Sequence, residues 1–302
     1  QWHIYCNCYV YNLQCTGKQS KKVMKGVLAM TSLKGKVALV TGGGTGIGKG
    51  VVDALVERGI DKIAIAAADF VDLAANQYKT KNIGGYTAAK NVCADLKKKG
   101  IDAIAIETDV TKPASVKNMV KETVDHFGQI DYLVHVAGLI TCKPVVDLTE
   151  EDWDSVVNTN AKGTFLVDQS VIAQMKKQGD GRIINFSSIA GKSGYANLAH
   201  YCASKFAVIG FTISLAKELL HDGITVNSVA PGIVPTQMWI DLAESLRLPG
   251  ETREESYKRN VEAMIPQGID QTAEDMAAAV LFFIDNPHVT GQTLNVDGGC
   301  CC

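Results

Sequence analysis

The sequence predicts an α/β fold, a single domain built on a doubly wound parallel sheet. Three observations predict it. Short apolar runs alternate with helix-period segments from residue 33 to residue 299, the pattern of repeated strand–helix units. A glycine-rich turn joins the first apolar run to the first helix, as at the start of a nucleotide-binding sheet. No repeat, low-complexity linker or shift of composition divides the chain, whose 302 residues are 46% hydrophobic and 21% charged, a globular balance.

Residues 1–29 stand apart. Trp2, Tyr5, Tyr9 and Tyr11 mix with cysteines and with Lys18, Lys21, Lys22 and Lys25, without helical or alternating period. A basic start followed by an apolar run would mark a secretory signal, and here the order is reversed. We expect a disordered N-terminal extension over 1–29 and one domain over 30–302.

Lys36–Val40 reads as a short buried strand. Thr41-Gly42-Gly43-Gly44-Thr45-Gly46-Ile47-Gly48 follows, then the helical pattern of Val51, Val52, Ala54, Leu55 and Val56. Such a turn lets backbone N–H groups approach a pyrophosphate at the positive end of the helix. The second strand, Lys62–Ala68, ends at Asp69, 21 residues after Gly48. An acid there accepts hydrogen bonds from adenosine ribose hydroxyls and repels a 2′-phosphate; the alternative is a solvated loop acid. Residues 76–86 read as an insertion before a helix over 88–99. A third strand, Ile101–Glu107, leads to Asp109, and Pro113 suits the first turn of the next helix. Asp131–Val136 is the fourth strand, Gly181–Phe186 the fifth, Gly223–Val229 the sixth and Thr293–Val296 the last. Helices are expected over 150–178, 198–221 and 272–285, with an irregular stretch over 233–268.

The chemistry gathers around Tyr201 and Lys205. On one helix they are spaced i, i+4 and share a face. An ammonium beside a phenol favours the phenolate, and lowers a pKa that is about 10 in the free residue. A phenol tuned in this way exchanges a proton with an alcohol or a ketone. Ser188, at the end of the fifth strand, can hydrogen-bond the same oxygen.

Other classes are excluded by what the sequence lacks. The net charge is −2, and about −6 without the basic leader, which is no nucleic-acid footprint. No apolar run is long enough to span a membrane. Nine cysteines include no C-x-x-C pair and no zinc spacing, so no metal is expected, and the thiols read as free in a reducing cytoplasm. Cys300, Cys301 and Cys302 are expected to be exposed and oxidisable.

Taken together, these residues resemble the short-chain dehydrogenase/reductase family, a Rossmann fold, over nearly all of 33–299. T-G-G-G-T-G-I-G at 41–48, D-V at 109–110, A-G at 137–138, N-A-K-G at 160–163, the Ser188/Tyr201/Lys205 set and P-G-I-V-P-T at 231–236 follow in the family's order. The resemblance implies that Gly42, Thr45, Gly46, Ile47 and Gly48 hold the pyrophosphate. It places Asp109 and Val110 on adenine, and Ala137 and Gly138 beside the ribose and nicotinamide. Pro231, Gly232, Val234 and Thr236 would hold the nicotinamide, with Tyr201 and Lys205 also touching the cofactor. Asn160 joins Ser188, Tyr201 and Lys205 as a catalytic residue, through a water chain to Lys205. A homodimer or homotetramer is implied as well.

Two departures stand out. His135-Val136 replaces the family's frequent Asn-Asn, and Asp69 comes two or three residues late. The stretches 201–212 and 231–239 are most similar to dehydrogenases of polyols, vicinal diols and acetoin-type hydroxyketones. The expected function is therefore an NAD-dependent oxidoreductase interconverting a secondary alcohol and a ketone, with NADP less favoured and Trp239 on the substrate. The rivals are an NADPH-linked 3-oxoacyl thioester reductase, a steroid-type dehydrogenase with Met238, Trp239, Leu242, Leu246 and Leu248 around an apolar pocket, and a non-catalytic dinucleotide-sensing protein.

Overall fold

The structure is a computed structural model that describes residues 32–69 and 85–301. The leader over 1–29, most of the 76–86 insertion and Cys302 lie outside the described residues.

Seven parallel strands form one sheet in the order β3-β2-β1-β4-β5-β6-β7. They are β1 (Val37–Thr41), β2 (Lys62–Ala67), β3 (Asp102–Glu107), β4 (Tyr132–His135), β5 (Gly181–Phe186), β6 (Ile224–Pro231) and β7 (Thr293–Val296). The helices are α1 (Gly46–Glu57), α2 (Tyr86–Lys98), α3 (Pro113–Phe127), α4 (Glu150–Val157), α5 (Gly163–Gln178), α6 (Ala199–Glu218), α7 (Gln237–Ser245), α8 (Arg253–Met264) and α9 (Ala273–Asp285).

The strands read as continuous apolar runs because both faces of the sheet are covered. On one face Ala38, Val40, Ile63, Ile65 and Val134 pack with α1, α2 and α9 through Val51, Leu55, Leu96, Met276 and Phe283. On the other, Leu39, Ala64, Leu133 and Ile183 pack with α3, α5 and α6 through Met119, Val167, Met175 and Leu215. Neighbouring residues on a strand therefore serve opposite layers, as a period of two requires. The chain reverses its winding between β1, which pairs with β2 on one side, and β4 on the other. A crevice opens at the strand ends where such a sheet reverses.

Two segments differ from the sequence pattern. The single helix expected over 150–178 is interrupted by a five-residue π turn, Asn158–Lys162. The irregular stretch 233–268 contains two helices, α7 and α8, packed against each other and against the loop that follows β6.

Candidate active site

The crevice is a cleft of about 530 Å³ running from the ends of β1 and β2 to the α7–α8 pair, within the range of small-molecule sites. Its first half is backbone. The turn after β1 is drawn tight: a Cβ at Gly48 would lie 2.2 Å from the Gly42 carbonyl oxygen, and one at Gly46 would lie 3.0 Å from Thr236 Cγ2. Only a hydrogen fits at Gly48. Three helices, α4, α8 and α9, close their first turns with capping boxes from Thr149, Thr252 and Thr272. The first turn of α1 has no such bond from Thr45 and no acid, so its N–H donors are left to face the cleft. Gly42, Thr45, Gly46, Ile47, Gly48, Ala137, Gly138, Pro231, Gly232, Val234 and Thr236 all line it. The donor-rich, uncapped turn fits a dinucleotide pyrophosphate.

Ser188, Tyr201 and Lys205 meet at the middle of the cleft. The Ser188 Oγ accepts the Ala190 N–H at 3.1 Å, which fixes it at the end of β5. It is also a hydrogen-bond partner of the Tyr201 phenol and favours the phenolate. Burial outweighs that help and pushes the Tyr201 phenol up to about 12. The expected lowering by Lys205 is therefore corrected. The ammonium lies 5.7 Å from the ring centre and donates to the Phe186 carbonyl at 2.8 Å. Its own burial pulls Lys205 down to about 8. At neutral pH the pair is a neutral phenol beside a cation, an arrangement that gives a proton more readily than it takes one.

Asn160 is 1% exposed and sits in the π turn, behind the cleft rather than on it. Its side chain accepts from Leu139 N–H and donates to Leu139 O, both at 2.8 Å, and donates to Ser204 Oγ at 3.0 Å. It thus ties the loop after β4 to the helix that carries Tyr201 and Lys205. His135 is buried, with Nδ1 2.7 Å from Thr41 Oγ1; burial pulls its pKa down to about 3. Thr41 in turn accepts the Ala137 N–H at 3.2 Å, so the histidine props the loop after β4 through a side chain.

Two expected cofactor contacts are not brought to the cleft. Asp69 receives the Thr87 N–H and hydroxyl, both at 3.1 Å, and so serves the first turn of α2. Asp109 Oδ1 receives Thr111 N–H at 2.9 Å and its hydroxyl at 2.7 Å. Its neighbours Thr108 and Val110 line the cleft instead. Asp69 thus meets an exposed donor 18 residues further on, at the start of α2, and Asp109 meets one two residues on, engagements that strand-end position alone does not reveal.

The far half of the cleft is apolar. Ile140, Leu198, Met238, Trp239, Leu242, Leu246 and Met264 line it, with Tyr195, Gln237 and Asn260 among its polar residues. Leu248 lies outside it and is 55% exposed. Trp239 is propped edge-on by Tyr257, whose hydroxyl donates to Asp270 at 2.7 Å. Ile140, Tyr195, Leu198, Asn260 and Met264 were not singled out from the sequence. The loop carrying two of them is fixed by Asn197, left-handed at φ +64°, whose carbonyl accepts Lys143 N–H at 2.9 Å.

Comparison with known proteins places the chain. The family model described as short chain dehydrogenase matches residues 36–247. The chain belongs to that family. It is a catalytic oxidoreductase that interconverts a carbonyl and a hydroxyl group by hydride transfer with a nicotinamide dinucleotide. It is 37% identical over 273 residues to a 3-oxoacyl-(acyl-carrier-protein) reductase of Synechocystis, covering 89% of this chain and 98% of that protein. It is 36% identical to a reductase of the same name from Staphylococcus aureus, covering 87% and 97%. Among solved structures, an actinorhodin polyketide ketoreductase with NADPH superposes with a TM-score of 0.78 at 33% identity, covering 88% of this chain and 97% of that one. A short-chain dehydrogenase/reductase from Mycobacterium marinum does so at 31% identity, also with a TM-score of 0.78, covering 91% and 99%.

These relatives correct two expectations. The likeness to polyol, diol and acetoin dehydrogenases gives way to a likeness to 3-oxoacyl reductases, and the two short stretches that suggested it are too few to set substrate class. The NAD expectation rested on Asp69 and on the absence of an arginine or lysine between it and Lys79. The solved ketoreductase holds NADPH, and the Asp69 carboxylate is engaged by Thr87. No described helix is long and apolar enough to cross a membrane.

Proposed function

We propose that the chain is an NADPH-dependent reductase of 3-oxoacyl thioesters. The observation that carries this is similarity along 98% of the length of a 3-oxoacyl-(acyl-carrier-protein) reductase. The apolar far half of the cleft agrees, because it suits an alkyl chain. A polyol would leave most of its hydroxyls without partners there, since polar residues such as Tyr195 and Asn260 are few among the apolar ones, a cost that bears on specificity. A bulky apolar ketone is the second reading, favoured by the polyketide ketoreductase among the structural relatives.

NADPH, when bound, supplies the hydride. The uncapped first turn of α1 and the turn Gly42–Gly48 would hold its pyrophosphate, and Ala137, Gly138, Pro231, Gly232, Val234 and Thr236, which line the cleft, would bound the nicotinamide side. Lys205, oriented by its donation to the Phe186 carbonyl, would reach the cofactor ribose past Gly138, where a Cβ would sit 3.5 Å from Nζ. Tyr201, neutral because it is buried, donates its proton to the ketone oxygen. Ser188 donates a hydrogen bond to the same oxygen, where negative charge develops. Asn160 positions Lys205 through Ser204 and Leu139. Phe165, Phe206 and Ile213 on α5 and α6 are 41%, 48% and 39% exposed, and we assign them to a subunit contact of a dimer or tetramer.

The test is loss of NADPH absorbance with acetoacetyl-CoA, with the product identified as 3-hydroxybutyryl-CoA by mass. Turnover supports the assignment. No turnover with acetoacetyl-CoA and longer 3-oxoacyl thioesters would remove it.

A further inference from the structure

Two cysteines that the reaction does not use sit directly behind the substrate half of the cleft. After β7 the chain turns through Asp297-Gly298-Gly299 into Cys300 and Cys301. The turn is built: Asp297 accepts from Gly299 N–H at 3.1 Å and Cys301 N–H at 3.0 Å, and Asn295 donates to the Cys301 carbonyl at 3.1 Å. Both residues are half-buried, against the exposure expected from the sequence, and both are free thiols.

Both sulfurs reach one loop, the segment after β5 that carries Ser188. Cys300 Sγ is 3.2 Å from the Tyr195 hydroxyl. Cys301 Sγ donates to the Ile189 carbonyl at 3.8 Å, one residue from Ser188. The two thiols and the Tyr195 hydroxyl are also within hydrogen-bonding reach of one another. Cys300 packs on the apolar cluster of Trp239, Tyr257, Val261 and Met264. Tyr195, Ile189, Trp239 and Met264 all line the cleft. A change at these sulfurs is therefore felt by the loop on one side of the substrate half and by α8 on the other.

We propose that Cys300 and Cys301 form a dithiol modification site, oxidised by a small-molecule disulfide, that sets substrate binding through Tyr195 and the Ile189 turn. The attacking thiol displaces one thiol from the disulfide and forms a mixed disulfide. The second cysteine displaces the other, closing a Cys300–Cys301 bond. With glutathione disulfide the two electrons leave the cysteine sulfurs and reduce the oxidant, and both thiol protons end on two released glutathiones. Consecutive cysteines close a ring that includes their shared peptide, so the Asp297 and Asn295 bonds to Cys301 are strained. The S–H donor to Ile189 is lost, and Tyr195 keeps a partner that can only accept. Burial and the neighbouring Cys300 hold the Cys301 thiol up to about 11, so little of it is thiolate at neutral pH and the exchange needs mildly alkaline conditions.

The inference rests on the far half of the cleft being the substrate half, as proposed above. The full chain carrying Cys302→Ser, which leaves Cys300 and Cys301 as the two thiols of that peptide, is reduced with dithiothreitol and treated with glutathione disulfide at mildly alkaline pH, and is expected to lose about 2 Da in the peptide carrying residues 300 and 301. KM for acetoacetyl-CoA should rise about two- to tenfold, the size of one or two lost neutral hydrogen bonds. NADPH affinity should stay constant, and dithiothreitol should restore KM. In the same Cys302→Ser background, Cys301→Ser keeps a hydroxyl donor toward Ile189 and leaves no second thiol beside Cys300 to close a ring, so oxidant should leave its KM unchanged. The proposal is overturned if residues 300 and 301 stay reduced or stop at a mixed disulfide. It is equally overturned if they link and KM does not move, or if oxidant raises KM as much in Cys301→Ser. A reduced enzyme inactive on every 3-oxoacyl thioester but active on another ketone would sink the substrate assignment instead, and the same comparison would then be made with that ketone.

Discussion

The two halves of the cleft are built from different material. The cofactor half is mostly main chain: glycine positions, strand ends and uncapped N–H donors, held between α1 and β4. The substrate half is side chain: Ile140, Leu198, Trp239, Leu242, Leu246 and Met264, brought from four separate segments. A backbone site admits little variation, because a single Cβ at Gly48 would collide with the Gly42 carbonyl. A side-chain site can be repacked with modest loss. The difference explains why a dinucleotide site is announced by one short motif, whereas a substrate is not. The Tyr201–Lys205 pair stands where the two halves meet.

The sharpest way to break this division is at that junction. Tyr201→Phe keeps the ring and removes only the proton donor. It should lower kcat by about 10²-fold or more, the contribution of general acid catalysis, while NADPH affinity measured by fluorescence stays within about twofold. Loss of NADPH binding would mean that Tyr201 belongs to the cofactor half alone.

Next comes pH. Burial pulls Lys205 down to about 8, so it is charged below that pH and neutral above it. For ketone reduction, log kcat/KM should be flat below about pH 8 and fall above it, by about tenfold per pH unit at the limit. Tyr201, held up to about 12, stays protonated across that range. A rate that rises through pH 8 would reverse the assigned roles.

A pair of substitutions then separates the halves. Gly48→Ala forces the turn against the Gly42 carbonyl and should weaken NADPH by about tenfold or more, with a lower Tm, as overpacking does. Trp239→Ala opens the apolar wall and should raise KM for a 3-oxoacyl thioester by roughly tenfold, leaving NADPH affinity alone. If either variant moved both constants equally, the two halves would be one cooperative unit.

The smallest effect lies in the frame beneath both. Asp168 on α5 is fully buried, accepts from Asn185 at 2.9 Å and has its other carboxylate oxygen unpartnered. Burial pushes it up to about 7 from 3.8. Since the folded state raises this pKa, its contribution to stability is full below about pH 4, shrinks between about pH 4 and 7 and is gone above. Asp168→Asn removes that slope, on the order of 1 kcal/mol per pH unit. In thermal melts the variant should gain on the wild type at pH 8 relative to pH 5, with both affinities unchanged. A parallel pH dependence in the two proteins would show that Asp168 is not the titrating group.

What was legible in the sequence follows the same division. Seven strands, the glycine turn and the Ser188/Tyr201/Lys205 set were legible because local spacing fixes them. What Asp69 and Asp109 bind was not legible, because a strand-end acid can serve a ligand hydroxyl or a donor of its own chain; here Asp69 accepts from Thr87, 18 residues on, and Asp109 from Thr111. The π turn at Asn160 left no trace in the helical period. The chamber formed by Ile140, Tyr195, Asn260 and Met264 exists only once α7 and α8 fold over the loop after β5. The upward push on Tyr201 was equally invisible, since i, i+4 spacing says nothing about how deeply a pair is buried.

The most direct measurement is a matrix of kcat/KM on the wild-type enzyme. NADPH and NADH would each be paired with acetoacetyl-CoA, and NAD and NADP each with 2,3-butanediol and sorbitol, all read at 340 nm. The NADPH–thioester pair should exceed every other combination by about 10²-fold or more, the scale set by leaving polar groups unpaired in a mismatched site. A matrix dominated by NAD with either polyol would contradict the assignment of both halves at once.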